Sequence, residues 1–200
     1  VNAEIDQKPW GIAPAISEQI YTLEDALLFA GMQMVILRNA DVIKIACQSL
    51  LTNISACIMT EKNGEYWLQT IYYPFHYFAT YAKGTVLKTA SIGPCYSCAE
   101  FDGVPYVDSL VVWNEEDQEL VIFAVNRSEE ELQKAEVDLQ DFEIQHVIES
   151  ICMTAENKKM TNMEQHDAVI PKKEKNVEIE TGRCQITLQP LSFNMVRLAV

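Results

Sequence analysis

Apolar residues follow two rhythms along this chain, and the change between them divides it. From Leu23 to Arg38 they crowd almost every position, with Leu27, Leu28, Phe29, Ala30, Met32, Met34, Val35, Ile36 and Leu37 among them. Thr22-Leu-Glu-Asp25 ahead of them has the form of a capping box, in which a hydroxyl and a carboxylate satisfy the first free amides of a helix. The pattern predicts a helix over 23–38, closed by Asn39 in a left-handed conformation. A helix apolar on nearly every face belongs between layers rather than on a surface. Asp41-Val-Ile-Lys-Ile-Ala-Cys47 then reads as a strand covered on both faces, as parallel strands are. Trp67-Leu-Gln-Thr-Ile-Tyr-Tyr-Pro-Phe75 reads as a buried parallel strand, a polar loop reaching toward a site, and a helix started by Pro74. Phe75, Phe78, Ala79 and Ala82 continue that helix and Gly84 closes it. This is the order of the last β-loop-α unit of a barrel, so the chain is expected to begin partway through such a domain.

From about Thr85 the rhythm shortens. Val107–Asn114 and Glu119–Asn126 are strand-like runs joined by the acidic turn Glu115-Glu-Asp-Gln118, a hairpin signal. Further strand candidates are residues 135–139, 144–155, 177–179, 184–188 and 193–200. Many short strands with turn residues between them predict an all-β antiparallel sandwich, jelly-roll-like. Residues 157–175, poor in apolar side chains, read as a long surface loop. The expected architecture is a remnant of an α/β barrel over 1–84, the last helix-strand-helix of a (β/α)8 barrel, followed by the sandwich over 85–200.

Composition adds mainly exclusions. Two hundred residues, 48% hydrophobic and 22% charged, suit a soluble chain with a sizeable core. A net charge of −14 argues against nucleic acid or anionic membrane as a partner. The longest apolar run, residues 26–37, is too short to span a bilayer. Val1-Asn-Ala-Glu-Ile-Asp6 lacks the basic and then apolar opening of a secretory signal, and location stays open between cytoplasm and exterior.

Cys47, Cys57, Cys152 and Cys184 fall in or near predicted strands and read as small core residues. Cys95-Tyr-Ser-Cys98 has the spacing of redox and zinc sites but lacks the helix or the further ligands those sites need; an ordinary loop pair or an incidental disulfide fits better. His76, His146 and His166 show no metal-ligand spacing, and neither metal nor cofactor is expected. Asn53-Ile-Ser and Asn126-Arg-Ser fit the glycosylation sequon, but both lie in or beside predicted strands.

A set of segments in order carries a resemblance. They are Leu23-Glu-Asp-Ala-Leu-Leu28, Asp41-Val-Ile-Lys-Ile-Ala-Cys47, Asn53, Ile58-Met-Thr-Glu61 and Gln69-Thr-Ile-Tyr-Tyr-Pro-Phe75. Val104-Pro-Tyr106, Phe123-Ala-Val-Asn-Arg127 and Leu191-Ser-Phe-Asn-Met-Val-Arg-Leu198 complete it. Together they resemble the C-terminal part of the α-L-arabinofuranosidases of glycoside hydrolase family 51. The resemblance implies a retaining exo-hydrolase acting on terminal arabinofuranosyl groups of arabinoxylan, arabinan and their oligosaccharides. It implies a barrel followed by a C-terminal sandwich, and a homo-oligomer, usually a hexamer.

Retaining glycosidases need two carboxyl groups about 5–5.5 Å apart. Neither of the family's catalytic motifs occurs here, so no catalytic residue is expected in this chain, and Glu61 and Glu65 read as solvated loop carboxylates. Gln69 matches the family glutamine that hydrogen-bonds bound arabinose, a task suited to a carboxamide that both donates and accepts. The competing role for Gln69 is to cap the following helix. Trp67 is either an apolar wall of the same site or a packing residue, and Asn53 is expected to brace the loop. Leu50 and Cys57 depart from the family's common glutamine and proline. The alternative reading of the chain is a non-catalytic sandwich that binds carbohydrate or serves assembly, which exposed aromatic residues on a sandwich face would favour; Trp113 is the candidate there.

Overall fold

The computed structural model describes residues 3–4, 12, 18–139 and 142–200, so part of the expected 1–84 unit lies outside the described residues. Two short strands, β1 (Ala3–Glu4) and β2 (Gln19–Ile20), pair antiparallel and lead into helix α1 (Leu23–Arg38). The capping box forms as expected. Thr22 Oγ1 accepts from the Asp25 amide at 3.2 Å, and Asp25 Oδ2 accepts from the Thr22 amide at 2.8 Å. The amides of Leu23 and Glu24 donate to the carbonyls of Met160 and Lys158, so this helix start is fully satisfied.

The helix end differs from expectation. Asn39 has φ −108°, outside the left-handed region, and its side chain instead donates to the Val35 carbonyl at 2.7 Å. Nor is α1 covered all round. Leu23, Ala26, Leu27, Ala30 and Met34 form a buried stripe, while Leu28, Met32 and Val35 face outward.

Residues 41–47, expected as a covered strand, form no strand; they turn and then run irregularly and exposed, with Val42 76% and Ile45 84% accessible. The reason is lateral. A strand exists only where its amides and carbonyls find partners on a neighbour, and among the described residues no strand lies beside this segment. Strands β3 (Ile58–Thr60) and β4 (Tyr66–Leu68) pair antiparallel across the turn at 61–65, so the Trp67 segment is half of a hairpin rather than a parallel strand. Helix α2 (Tyr72–Tyr81) starts two residues before Pro74, which sits in the first turn where a missing N–H leaves no bond unmade. Gly84, at φ +118°, then passes so close to the backbone of Trp113 that an added Cβ would lie 2.1 Å from the Trp113 carbonyl. Only glycine fits there.

The remaining strands are β5 (Thr85–Leu87), β6 (Cys95–Tyr96), β7 (Val104–Pro105), β8 (Val107–Asn114), β9 (Glu119–Asn126), β10 (Gln133–Asp138), β11 (His146–Met153), β12 (Lys172–Lys173), β13 (Val177–Glu180), β14 (Arg183–Leu188) and β15 (Ser192–Ala199). A six-stranded sheet runs β12-β11-β15-β9-β8-β5 and a three-stranded sheet runs β10-β14-β13, all pairs antiparallel. This is the expected sandwich.

Its central strands are buried on both faces, which explains their unbroken apolar sequence. Val121, Phe123, Val125, Phe193 and Met195 point to one core together with Ala26, Ala30 and Met34 of α1 and Phe78 of α2. Leu120, Ile122, Ala124, Val196 and Leu198 point to a second core with Cys184, Ile186 and Leu188 of the small sheet. The molecule is therefore three layers, helices on sheet on sheet. The Phe78 and Phe123 rings meet at 4.3 Å across the first boundary. Two charged contacts fasten the same boundary. Arg38 at the end of α1 pairs with Asp108, which Arg127 also holds at 2.8 Å. Arg197 grips Glu119 with bonds of 2.8–3.0 Å and places its guanidinium 4.5 Å from the Tyr81 ring centre of α2.

The stretch 157–175 is more firmly anchored than its polarity predicts. Asn162 is buried, donates to the carbonyls of Leu68 at 3.0 Å and Val169 at 3.1 Å, and accepts from the Val169 amide at 2.8 Å. One asparagine thereby ties the loop to β4.

Candidate functional site

Gln69 lies between β4 and α2, where the chain turns from hairpin to helix. Its backbone amide donates to the Cys57 carbonyl at 2.8 Å and its carbonyl accepts from the Tyr72 amide at 3.0 Å. Its carboxamide faces inward and is 1% exposed. Oε1 accepts from the Tyr21 amide at 2.9 Å, while Nε2 donates to the carbonyls of Gln19 at 3.0 Å and Ala56 at 2.8 Å. Three segments remote in sequence are stapled by this one side chain. Beside it Thr70, fully buried, donates to the Thr22 carbonyl at 2.7 Å.

Trp67 is buried against Ile20 and Met59 in a small separate core, with the His166 ring stacked on it at 4.9 Å and nearly parallel. Gln69 and Trp67 thus lie two positions apart, but the structure turns both toward protein. Asn53 braces the adjoining loop as expected. At φ +66° its Oδ1 accepts from the Thr60 amide at 2.8 Å and its Nδ2 donates to Thr60 Oγ1 at 3.0 Å. Glu61 and Glu65 are exposed at the two ends of the β3–β4 turn.

Among the described residues no group of three or more His, Cys, Asp and Glu side chains is placed to hold a metal, and no helix is long and apolar enough to cross a membrane. Asn126 of the second sequon is fully buried, its Nδ2 donating to the carbonyls of Glu131, Leu188 and Gln189 at 2.9–3.2 Å. Its amide is closed to glycosylation in the folded chain.

The six cysteines are all free thiols, and they divide by environment. Cys57, Cys152 and Cys184 are buried, and burial pushes each thiol up to about 11 because thiolate is poorly solvated there. Cys95, Cys98 and Cys47 are exposed, Cys47 because the strand expected around it does not form. With Ellman's reagent at pH 8, three thiols are expected to react quickly and three only after denaturant is added. Six fast thiols in the native chain would contradict this arrangement. Thiols raised by burial hold the folded state's protons more tightly, so their contribution is intact below the ordinary thiol range and is lost as pH climbs from there through about 11.

One large opening was not visible in the sequence. A cleft of about 1030 Å³ runs along the outer face of α1, lined by Leu28, Met32 and Val35 on one side and by Tyr96, Tyr106 and Arg127 on the other. The two sides are separated by between 61 and 99 positions, so no local pattern announces the cleft.

The profile of the α-L-arabinofuranosidase C-terminal domain matches residues 2–192. An intracellular exo-α-(1→5)-L-arabinofuranosidase of Halalkalibacterium halodurans is 42% identical over 190 residues, which is 95% of this chain and 38% of that protein. A relative of the same description from Bacillus subtilis is 40% identical over 98% of this chain and 39% of its own length. A solved structure, a family 51 α-L-arabinofuranosidase from Bifidobacterium longum, superposes with a TM-score of 0.87 at 28% identity, over 97% of this chain and 38% of that one. The chain therefore spans about two-fifths of the length of the relatives it matches.

Proposed function

The chain belongs to the α-L-arabinofuranosidase C-terminal domain family, and on that premise we propose that it serves as the C-terminal part of a retaining exo-α-L-arabinofuranosidase. The substrates are terminal arabinofuranosyl groups on arabinan, arabinoxylan and their oligosaccharides. The observation that carries this reading is the match along nearly the whole chain to proteins named as exo-arabinofuranosidases, at up to 42% identity. In this reading the nucleophile and the acid/base lie in the three-fifths of the relatives' length that this chain does not span.

Residues 1–84 are then the closing helix-strand-helix of a (β/α)8 barrel, and 85–200 the sandwich domain. Support comes from what the helical layer leaves bare. Leu28, Met32 and Val35 on α1, and Val42 and Ile45 beyond it, expose apolar surface that adjoining barrel elements would cover. With a strand alongside, residues 42–47 gain the lateral hydrogen bonds they lack here. The same surfaces support homo-oligomeric assembly.

Gln69 and Trp67 remain the proposed substrate contacts of the intact enzyme. That role requires the Gln69 carboxamide to exchange its bonds to Tyr21, Gln19 and Ala56 for sugar hydroxyls once the barrel is complete.

The test compares this chain with a polypeptide extended to the relatives' full length. The extended protein is expected to hydrolyse 4-nitrophenyl α-L-arabinofuranoside with retention of configuration and to scatter light as more than one subunit. The 200-residue chain, lacking nucleophile and leaving-group acid, is expected to release nothing above background. Hydrolysis by the highly purified short chain would overturn this division of labour.

A further inference from the structure

We propose that the open rim of the sandwich core, between β8, the β8–β9 turn and residues 142–145 ahead of β11, binds one neutral sugar ring of an arabinose-containing oligosaccharide. A pocket of about 290 Å³ lies there, lined by Trp113, Gln118, Phe142, Glu143, Gln145 and Val200. Its size is just below the roughly 300–1,000 Å³ of small-molecule sites, room for a single ring.

The floor is aromatic. The rings of Trp113 and Phe142 stand 5.0 Å apart and are tilted by 55°, giving two apolar walls of a trough. Both side chains are half-buried and pack against the second core, which holds them in place. A sugar ring offers C–H groups to such walls and hydroxyls to the edge. The edge supplies what hydroxyls need. Among the described residues the Gln145 carboxamide and the Trp113 indole N–H have no protein partner, and Gln118 Nε2 donates to the Glu115 carbonyl, leaving Oε1 as an acceptor. Glu143 adds a carboxylate acceptor and is the one charged side chain among the described lining residues, which disfavours anionic ligands.

The backbone beneath is tied by hydrogen bonds between the chain segments that form the pocket. The Val200 amide donates to the Gln118 carbonyl at 3.1 Å and the Gln145 amide to the Ala199 carbonyl at 2.9 Å. Gln118 itself is held at φ +53°, an uncommon conformation for a residue other than glycine, at the edge of the pocket.

The pocket's aromatic walls pack on the second core, whereas Trp67 packs in a small core with Ile20 and Met59 and the Gln69 carboxamide bonds to Tyr21, Gln19 and Ala56. It would therefore hold chain at a distance from the reacting end. The assignment to arabinose rests on the function proposed above; the site itself rests on the pocket.

The test titrates the 200-residue chain with α-1,5-arabino-oligosaccharides, xylo-oligosaccharides, cello-oligosaccharides and tetramethylammonium, read by saturation-transfer NMR and tryptophan fluorescence. Arabino-oligosaccharides are expected to bind, with affinity reduced roughly tenfold in both Trp113→Ala and Gln145→Ala. Gln145 is exposed, so its variant keeps the fold even if Trp113→Ala does not. Binding of xylo- or cello-oligosaccharides alone, abolished by these variants, upholds the site and overturns its arabinose assignment. No sugar binding, sugar binding indifferent to both variants, or binding of tetramethylammonium alone overturns the site. Each of those results leaves the hydrolase reading standing, because that is judged by the activity of the extended protein.

Discussion

Phe193→Ala is expected to lower the stability of this chain by about 3–5 kcal/mol, the range for emptying a buried aromatic site. Phe193 is fully buried in β15, and its ring lies 5.8 Å from Phe78 of α2, 6.3 Å from Tyr77 and 6.5 Å from Phe123 of β9. Domains of this size are stable by only about 5–15 kcal/mol, so the variant would be partly unfolded in modest denaturant. The result also bears on how the layers cohere. Because α2 and the six-stranded sheet share one core, helix and sheet should melt together. Urea unfolding followed by far-UV dichroism and by tryptophan fluorescence is expected to give coincident transitions in both proteins, shifted together in the variant. A helical signal that outlasts the sheet would show that the first eighty residues keep a core of their own.

Gln69→Glu is the second substitution expected to have a large effect, roughly 3 kcal/mol or more at pH 8. The exchange puts a carboxylate oxygen where Nε2 now donates to the carbonyls of Gln19 and Ala56. Three acceptors then face one another in a place water does not reach. Burial would raise the carboxyl above its ordinary range. A group with a raised folded-state pKa contributes most below its unfolded value and loses that contribution as pH rises through the folded one. The deficit relative to the parent chain should therefore shrink between pH 8 and pH 5, where the protonated acid regains one donor. Denaturation curves at the two pH values measure this. Unchanged stability at both would mean the carboxamide is not committed to the fold, and would favour a Gln69 already free to meet a sugar.

How far the sequence foretells this molecule depends on the range of the forces involved. Thr22 and Asp25 are three residues apart, and their capping box forms wherever a helix starts. The expected β8 and β9 boundaries agree with the structure, because a two-sided apolar run ending in an acidic turn has one good solution, a hairpin at the centre of a sheet. Gln145 and Phe142 carry no such local signal, and neither does the ring of Trp113, since the partner of each comes from another part of the chain.

The segment 42–47 shows the limit most clearly. Its run of valine, isoleucine and alanine describes a good strand, but a strand is a property of a pair, and the described residues offer it no neighbour. Gln69 teaches the same lesson in polar form: its identity announces a carboxamide that will make several bonds, not whether peptide groups or a ligand will receive them. The sequence by itself determined the capped helix, the antiparallel sandwich and the family, all of which rest on short-range pattern and on composition along strands. Only the tertiary structure decided which face of α1 is covered, where the Gln69 carboxamide points, and that Trp113 and Phe142 meet at an open rim. Those depend on contacts between distant segments, which packing selects and local propensity does not encode.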